Sequence, residues 1–188
     1  LAVMSQLLEH LCASRPHEHI SACSFISIAA GLTVNRLQVM LRAPRPIVRT
    51  MPNTPSAISM GMTGLYADEY SPKALKDAAE FALNQVGEVL WVKQEDDINT
   101  VIAAAGSSPA YLFLFAEAMQ AKAQALGLPT QDAKRLVGQA LAGAGAMLIA
   151  NPDMEFSTLR ENVTSNGGPP PNAIDPFHPS QLTVVTAN

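Results

Sequence analysis

Charge is scarce in this sequence, with Asp, Glu, Lys and Arg together making up 15% of 188 residues and aromatic side chains another 5%. The formal net charge is -4 and the Lys and Arg residues are scattered, so the basic footprint needed for a phosphate backbone is missing and no nucleic-acid partner is expected. Cysteine is nearly absent. Cys12 and Cys23 have no CxxC spacing, which excludes a disulfide framework and points to buried thiols in a reducing, cytoplasmic compartment. No uninterrupted apolar run reaches the roughly 18 residues that a membrane span needs, since the longest candidate, 136–150, is broken by Gln139 and several glycines. No membrane partner is expected either. No basic region precedes an apolar core at the start of the chain. His10, His17, His19 and His178 have no convergent partners, so neither a metal site nor a Ser/His/Asp or Cys/His catalyst is expected.

What the sequence does contain is Ala, Leu, Ile, Val and Met in strand and helix periods, within a hydrophobic total of 48%. Residues 1–4 read as the end of a strand, and Ser5 as the cap of a helix carrying Leu7, Leu8, Leu11 and Cys12. A chain that opens inside such a run reads as cut. Residues 22–30 form a continuous small, β-branched and aromatic run, the pattern of a parallel strand covered on both faces, and Gly31 ends it. Thr33 starts a helix with Leu37, Met40 and Leu41 inward, which Pro44 and Pro46 stop before a strand at 47–50. A strand at 62–67 follows, then Ser71-Pro72 as a helix start, an apolar stripe of Leu75, Ala78, Ala82 and Val86, a stop at Gly87, and a strand at 89–93.

Beyond this point only helical periods occur. Glu95, Asp96 and Asp97 favour a helix start, Ile98, Val101, Ile102 and Ala105 share one face, and Gly106 closes it. Ser108-Pro109 opens a helix to Leu126, Thr130 caps another to Ala150, and a last one spans 156–163. Pro169, Pro170 and Pro171 then exclude helix, so 166–188 reads as divergent loop or disordered tail. The fold class is α/β plus all-α, a partial parallel sheet of dinucleotide type followed by a helical layer.

Four stretches have the residue types for chemistry, and each also has a plain structural reading. Ala29, Ala30 and Gly31 end a strand where a cofactor could approach the backbone, or they simply pack. In Met51-Pro52-Asn53-Thr54-Pro55 the prolines fix the backbone so that Asn53 and Thr54 present an amide and a hydroxyl, or they form a stiff connector. Gly106-Ser107-Ser108-Pro109-Ala110-Tyr111 offers free N–H groups at a helix start, or a cap. Asn162, Thr164, Ser165, Gly167 and Gly168 lie in a polar glycine turn whose donors suit a carboxylate, or they end a helix. No GxGxxG occurs, so the pyrophosphate grip of a dinucleotide fold is not expected within these residues.

Taken together, Ser27-Ile28-Ala29-Ala30-Gly31, Arg49 through Pro55, Gly106 to Tyr111 with Glu117-Ala118-Met119, Gly127-Leu128-Pro129 and Asn162 through Gly168 resemble the pyrroline-5-carboxylate reductases, in the same order. The resemblance extends to Gly168. It implies an incomplete NADP-binding Rossmann-type domain over 1–95, a helical dimerisation and substrate domain over 96–165, and a divergent 166–188. It further implies NADPH or NADH as cofactor, a cyclic imine as substrate, reduction to L-proline without a covalent catalyst, and a homodimer or higher homo-oligomer. By position, Ala29, Ala30, Gly31, Asn53 and Thr54 would bind the cofactor, and Asn162, Thr164, Ser165, Gly167 and Gly168 the substrate. Pro169 and Pro170 stand where the family has a small residue and a threonine, removing donors from the substrate turn. An alternative reading is a non-catalytic helical dimerisation module derived from the reductase.

Overall fold

The computed structural model describes His10, Cys12 and residues 23–164. The strand expected at 1–4, the Ser5 cap, and the segment after Thr164 lie outside the described residues. The chain divides into two compact units, Leu1–Tyr111 and Leu112–Asn188.

The first unit is built on a sheet of β1 (Phe25–Ser27), β2 (Ile47–Pro52), β3 (Gly61–Ala67) and β4 (Gly87–Trp91), in that spatial order. β1 and β2 are parallel, joined through α1 (Val34–Met40), and β3 and β4 are parallel, joined through α2 (Lys73–Asn84). Between them β2 and β3 run antiparallel, with Arg49 opposite Tyr66 and Thr50 opposite Leu65. Only a 3-10 turn, Thr54–Ile58, links these two strands. A parallel crossover needs roughly a dozen residues or more, so so short a link returns the chain antiparallel. The parallel pairs expected from the sequence are present, and the sheet as a whole is mixed.

Ile47 and Val48 are consecutive, fully buried, and belong to different apolar clusters. Adjacent strand residues face opposite ways, so β2 is covered on both faces. One cluster gathers Val34, Leu37 and Leu41 of the α1 segment around Ile47. The other packs Leu75 and Ala79 of α2 on Val48 and Leu65, with Leu83 beside them. The α2 stripe is therefore Leu75, Ala79 and Leu83, and Ala78 and Ala82 are exposed. Leucine at a spacing of four offers more apolar area than the alanines on which the sequence reading relied.

Other boundaries shift for local reasons. β1 is three residues, not the whole of 22–30, because the Ala29 N–H turns to the hydroxyl of Ser27 at 3.3 Å and leaves the ladder. Ser71 donates its hydroxyl to Asp68 at 2.7 Å instead of capping α2, and Pro72 takes the cap position. Gly87 does not close a helix. It opens β4 at φ +145°, where a Cβ would collide with the backbone of Gly61.

α3 (Asp97–Val101) anchors Ile98 and Val101 in the first unit and runs into a π-helical turn, Ile102–Gly106. Gly106 thus widens the helix instead of ending it. The Ser107 N–H donates to the Ile102 carbonyl at 2.8 Å, one residue further back than an α-helix would. α4 (Ser108–Ala125) then begins in the first unit and continues in the second.

The second unit holds the rest of α4, α5 (Thr130–Ala150) and α6 (Phe156–Val163), the last with the limits its sequence predicts. Gly127 has φ +101° in the turn after α4. Thr130 is the first helical residue, not the cap, and its hydroxyl accepts from the Gln124 side chain at 2.8 Å. Leu112, Leu141, Leu148, Phe156, Leu159 and Val163 help line an apolar cavity of about 380 Å³.

Candidate functional site

Parallel strands place their carboxyl ends, and the turns leaving them, at one edge of a sheet. Here β1 and β2 pair with Ser27 opposite Arg49, so the turn through Ala29, Ala30 and Gly31 and the turn through Asn53 and Thr54 leave at the same edge. Ala29 is buried, while Ala30, Gly31 and Thr54 are exposed. Gly31 has φ +74°, a conformation that favours glycine, and a Cβ there would meet nothing within 4 Å. The backbone of this turn therefore faces open space.

Buried hydrogen bonds hold the turn in place. Ser27 is fully buried. Its hydroxyl accepts from Ala29 N–H, and its carbonyl accepts from the Thr50 hydroxyl at 3.0 Å. At the far end of the turn, Thr33 caps α1 by accepting from Arg36 N–H at 3.2 Å, as its sequence predicts.

Asn53 uses both ends of its amide. Its oxygen accepts from Met62 N–H at 2.9 Å, and its nitrogen donates to the Ala105 carbonyl at 3.1 Å. The same carbonyl accepts from the Ser108 hydroxyl at 3.2 Å. One side chain thus ties the β2 turn to both β3 and the π-helical turn.

Two residues to which the sequence assigns no site role meet beside this edge. Arg49, in the middle of β2 and 6% exposed, donates to Glu95 at 3.0 Å, and the same carboxylate oxygen accepts from Val34 N–H at 2.7 Å. An arginine inside a buried strand signals a charge that needs a partner. The sequence offered Glu95, Asp96 and Asp97 as helix-start charges and nothing to select among them. Tyr66, opposite Arg49 in the ladder, has its hydroxyl pushed above the usual range near 10, first by burial and then by the charges of Glu95, Asp68 and Glu69. Burial also pushes the Cys12 thiol up, which makes it a poor nucleophile, whereas Cys23, expected to be buried as well, is exposed because it lies ahead of the short strand β1. Among the described residues no group of three His, Cys, Asp or Glu side chains could hold a metal.

In the second unit, Asn162 is exposed and its amide lies 4.0 Å from the Met154 sulfur. Thr164 donates its hydroxyl to the Arg160 carbonyl, four residues back, at 2.6 Å. Ser165, Gly167 and Gly168 lie outside the described residues.

The second unit also carries much exposed apolar surface. Leu112, Phe113, Leu114 and Phe115 of α4 are all exposed, as are Leu136 and Ile149 of α5. A helix that is apolar all round is one that something covers. By length and composition alone, the helical run Asp97–Ala125 would also suffice to cross a membrane, although no run of 18 purely apolar residues exists.

The first unit thus holds a sheet with open turns at one edge, and the second holds helices with exposed apolar faces. The family model described as pyrroline-5-carboxylate reductase dimerisation matches residues 95–187. The chain is 46% identical over 187 residues to the pyrroline-5-carboxylate reductase of Vibrio alginolyticus, covering all of this chain and 69% of that protein. Among solved structures it is similar to a Coxiella burnetii pyrroline-5-carboxylate reductase, at TM-score 0.86 and 36% identity, covering 100% of this chain and 69% of that one. It also shares the fold of the Plasmodium falciparum pyrroline carboxylate reductase solved with NADP bound, at TM-score 0.87 and 24% identity, covering 100% of this chain and 74% of the other. The chain belongs to the pyrroline-5-carboxylate reductase family, and it carries that family's dimerisation domain. The match runs to residue 187, past Gly168, so the kinship extends into the segment that the sequence reading set apart as divergent.

Proposed function

We propose that this protein reduces 1-pyrroline-5-carboxylate to L-proline, the last step of proline biosynthesis, with NADPH or NADH as the reductant. The observation that carries the reading is the shared sheet edge, where the open turn at Ala29, Ala30 and Gly31 stands beside the turn at Asn53 and Thr54. When bound, the cofactor supplies a hydride to the imine carbon, and the imine nitrogen gains a proton. The small residues at 29–31 fit a nicotinamide, because Gly31 leaves open space at its backbone and Ala29 stays in the core. Asn53 holds the second turn rigid through Met62 and Ala105, with Thr54 exposed beside it.

Asn162, Thr164, Ser165, Gly167 and Gly168 are assigned to the substrate carboxylate. The protein acts by positioning and needs no covalent catalyst. The working unit is a homodimer or larger homo-oligomer, supported by the dimerisation match and the exposed apolar faces of α4 and α5. The buried thiol of Cys12 accords with a reducing cytoplasm.

The test is NADPH oxidation followed with pyrroline-5-carboxylate, and proline identified as product. Turnover that needs both reactants supports the proposal. A chain that self-associates but oxidises no NADPH overturns it in favour of the second reading, a non-catalytic dimerisation module, for which the same exposed helices are sufficient.

A further inference from the structure

We infer that Glu95 is a positioning residue for the cofactor turn, acting through Val34 and Arg49; this rests on the function proposed above. Val34 is the first residue of α1 and directly follows the turn 28–33. Its N–H is one of the donors that a helix start leaves without a partner inside the helix. Thr33 satisfies Arg36 N–H and leaves Val34 to another acceptor. That acceptor is Glu95, 61 residues away, at 2.7 Å.

The same oxygen takes the Arg49 guanidinium at 3.0 Å. The Arg49 side chain is 7% exposed and that of Glu95 22%, so neither charge is well served by water and each needs the other. Arg49 is fixed in β2 one residue before Thr50, whose hydroxyl bonds the Ser27 carbonyl at the start of the turn. The turn is therefore anchored at both ends to one strand, by Thr50 at its entrance and by Glu95 with Arg49 at its exit. Between these anchors lie Ala29, Ala30 and Gly31, the residues assigned to the nicotinamide. Removing Glu95 frees the exit and leaves the turn's residues unchanged.

The experiment uses the full chain as wild type, Glu95→Ala and Glu95→Gln, and reads amide hydrogen exchange at Val34 and Leu65 together with the NADPH dissociation constant. Glu95→Ala is expected to speed exchange at Val34 and to weaken NADPH, each by about tenfold, with Leu65 in β3 unchanged. Glu95→Gln keeps an acceptor for both donors and should recover most of the loss. If Glu95→Ala does not fold, Glu95→Gln carries the test with smaller shifts of about threefold, and an unchanged dissociation constant overturns the inference. Faster exchange at Val34 with unaltered NADPH binding would mean that the clamp serves only the fold, and it too overturns the inference. Equal acceleration at Leu65 does the same, because the effect would then be global. A wild type that binds no NADPH instead overturns the function proposed above, and this inference with it.

Discussion

The side-chain amide of Asn53 donates to the backbone carbonyl of Ala105 at 3.1 Å, across 52 residues of sequence. Its orientation has one solution, because the amide oxygen must face Met62 N–H and the nitrogen must face a carbonyl. Asn53→Ala leaves the Met62 N–H without this partner in a half-buried place, while the Ala105 carbonyl keeps the Ser108 hydroxyl, at a cost of about 1–3 kcal/mol. Asn53→Asp keeps the acceptor for Met62 and sets a carboxylate against the Ala105 carbonyl, so it should not restore stability. Denaturant midpoints for both variants, at constant m, check this.

Gly31 and Gly87 both have positive φ, but their surroundings differ. Around Gly31 a Cβ meets nothing within 4 Å, whereas at Gly87 it would strike the backbone of Gly61. Gly31→Ala should therefore cost only backbone strain, about 1 kcal/mol. Gly87→Ala adds a backbone collision in the ladder and should cost about 4 kcal/mol or more, or prevent folding. Thermal melts of the two variants would show the difference, and equal losses would mean that the β3–β4 contact is not as tight as described.

Tyr66 links stability to alkaline pH. Its hydroxyl titrates above the usual value near 10 in the folded chain, through burial first and then through Glu95, Asp68 and Glu69. In that window the unfolded chain gives up the proton and the folded chain keeps it, so the contribution is whole below about pH 10 and is lost as pH rises through the folded value. Stability should fall with pH from about 10 upward, and Tyr66→Phe should flatten that slope. Denaturation at a series of alkaline pH values measures it.

The apolar faces of α4 and α5 predict self-association at micromolar concentration in detergent-free buffer. Leu114 is 67% exposed and Ile149 75%, so a charge at either position should do little to a monomer's fold, within about 0.5 kcal/mol. Placed in an interface, the same charge should weaken association by about tenfold or more. Sedimentation of Leu114→Glu and Ile149→Lys checks this, and unaltered association in both would exclude these two faces. Wild-type chain that sediments only with lipid or detergent would favour the membrane option that the run Asp97–Ala125 leaves open.

Local signals in the sequence read well. The limits of α6, the Thr33 cap and the buried Leu37 follow from nearest neighbours and period. Caps one residue out of place, as at Ser71 and Thr130, reflect hydroxyls that found a different local partner. The rigid presentation of Asn53 was legible from its flanking prolines, but its partners were not, because Met62 and Ala105 come close only once β3 and the π-helical turn have formed. Glu95 was likewise read as a charge at a helix start nearby, whereas it serves the start of a helix 61 positions earlier. Such pairings depend on tertiary approach, for which one sequence carries no period or motif.

The π-helical turn at Ile102–Gly106 gives chain length at this place a hereditary slack that the rest of the helix lacks. A π turn accommodates one residue more than an α turn. Losing a single residue there would restore ordinary winding and leave the later side chains of α4 near their present bearing, because the wide turn already absorbs the extra residue. A one-codon deletion within 102–106 can therefore be absorbed, whereas the same loss in the ordinary turns of α4 would rotate the side chains beyond it by about 100° around the axis.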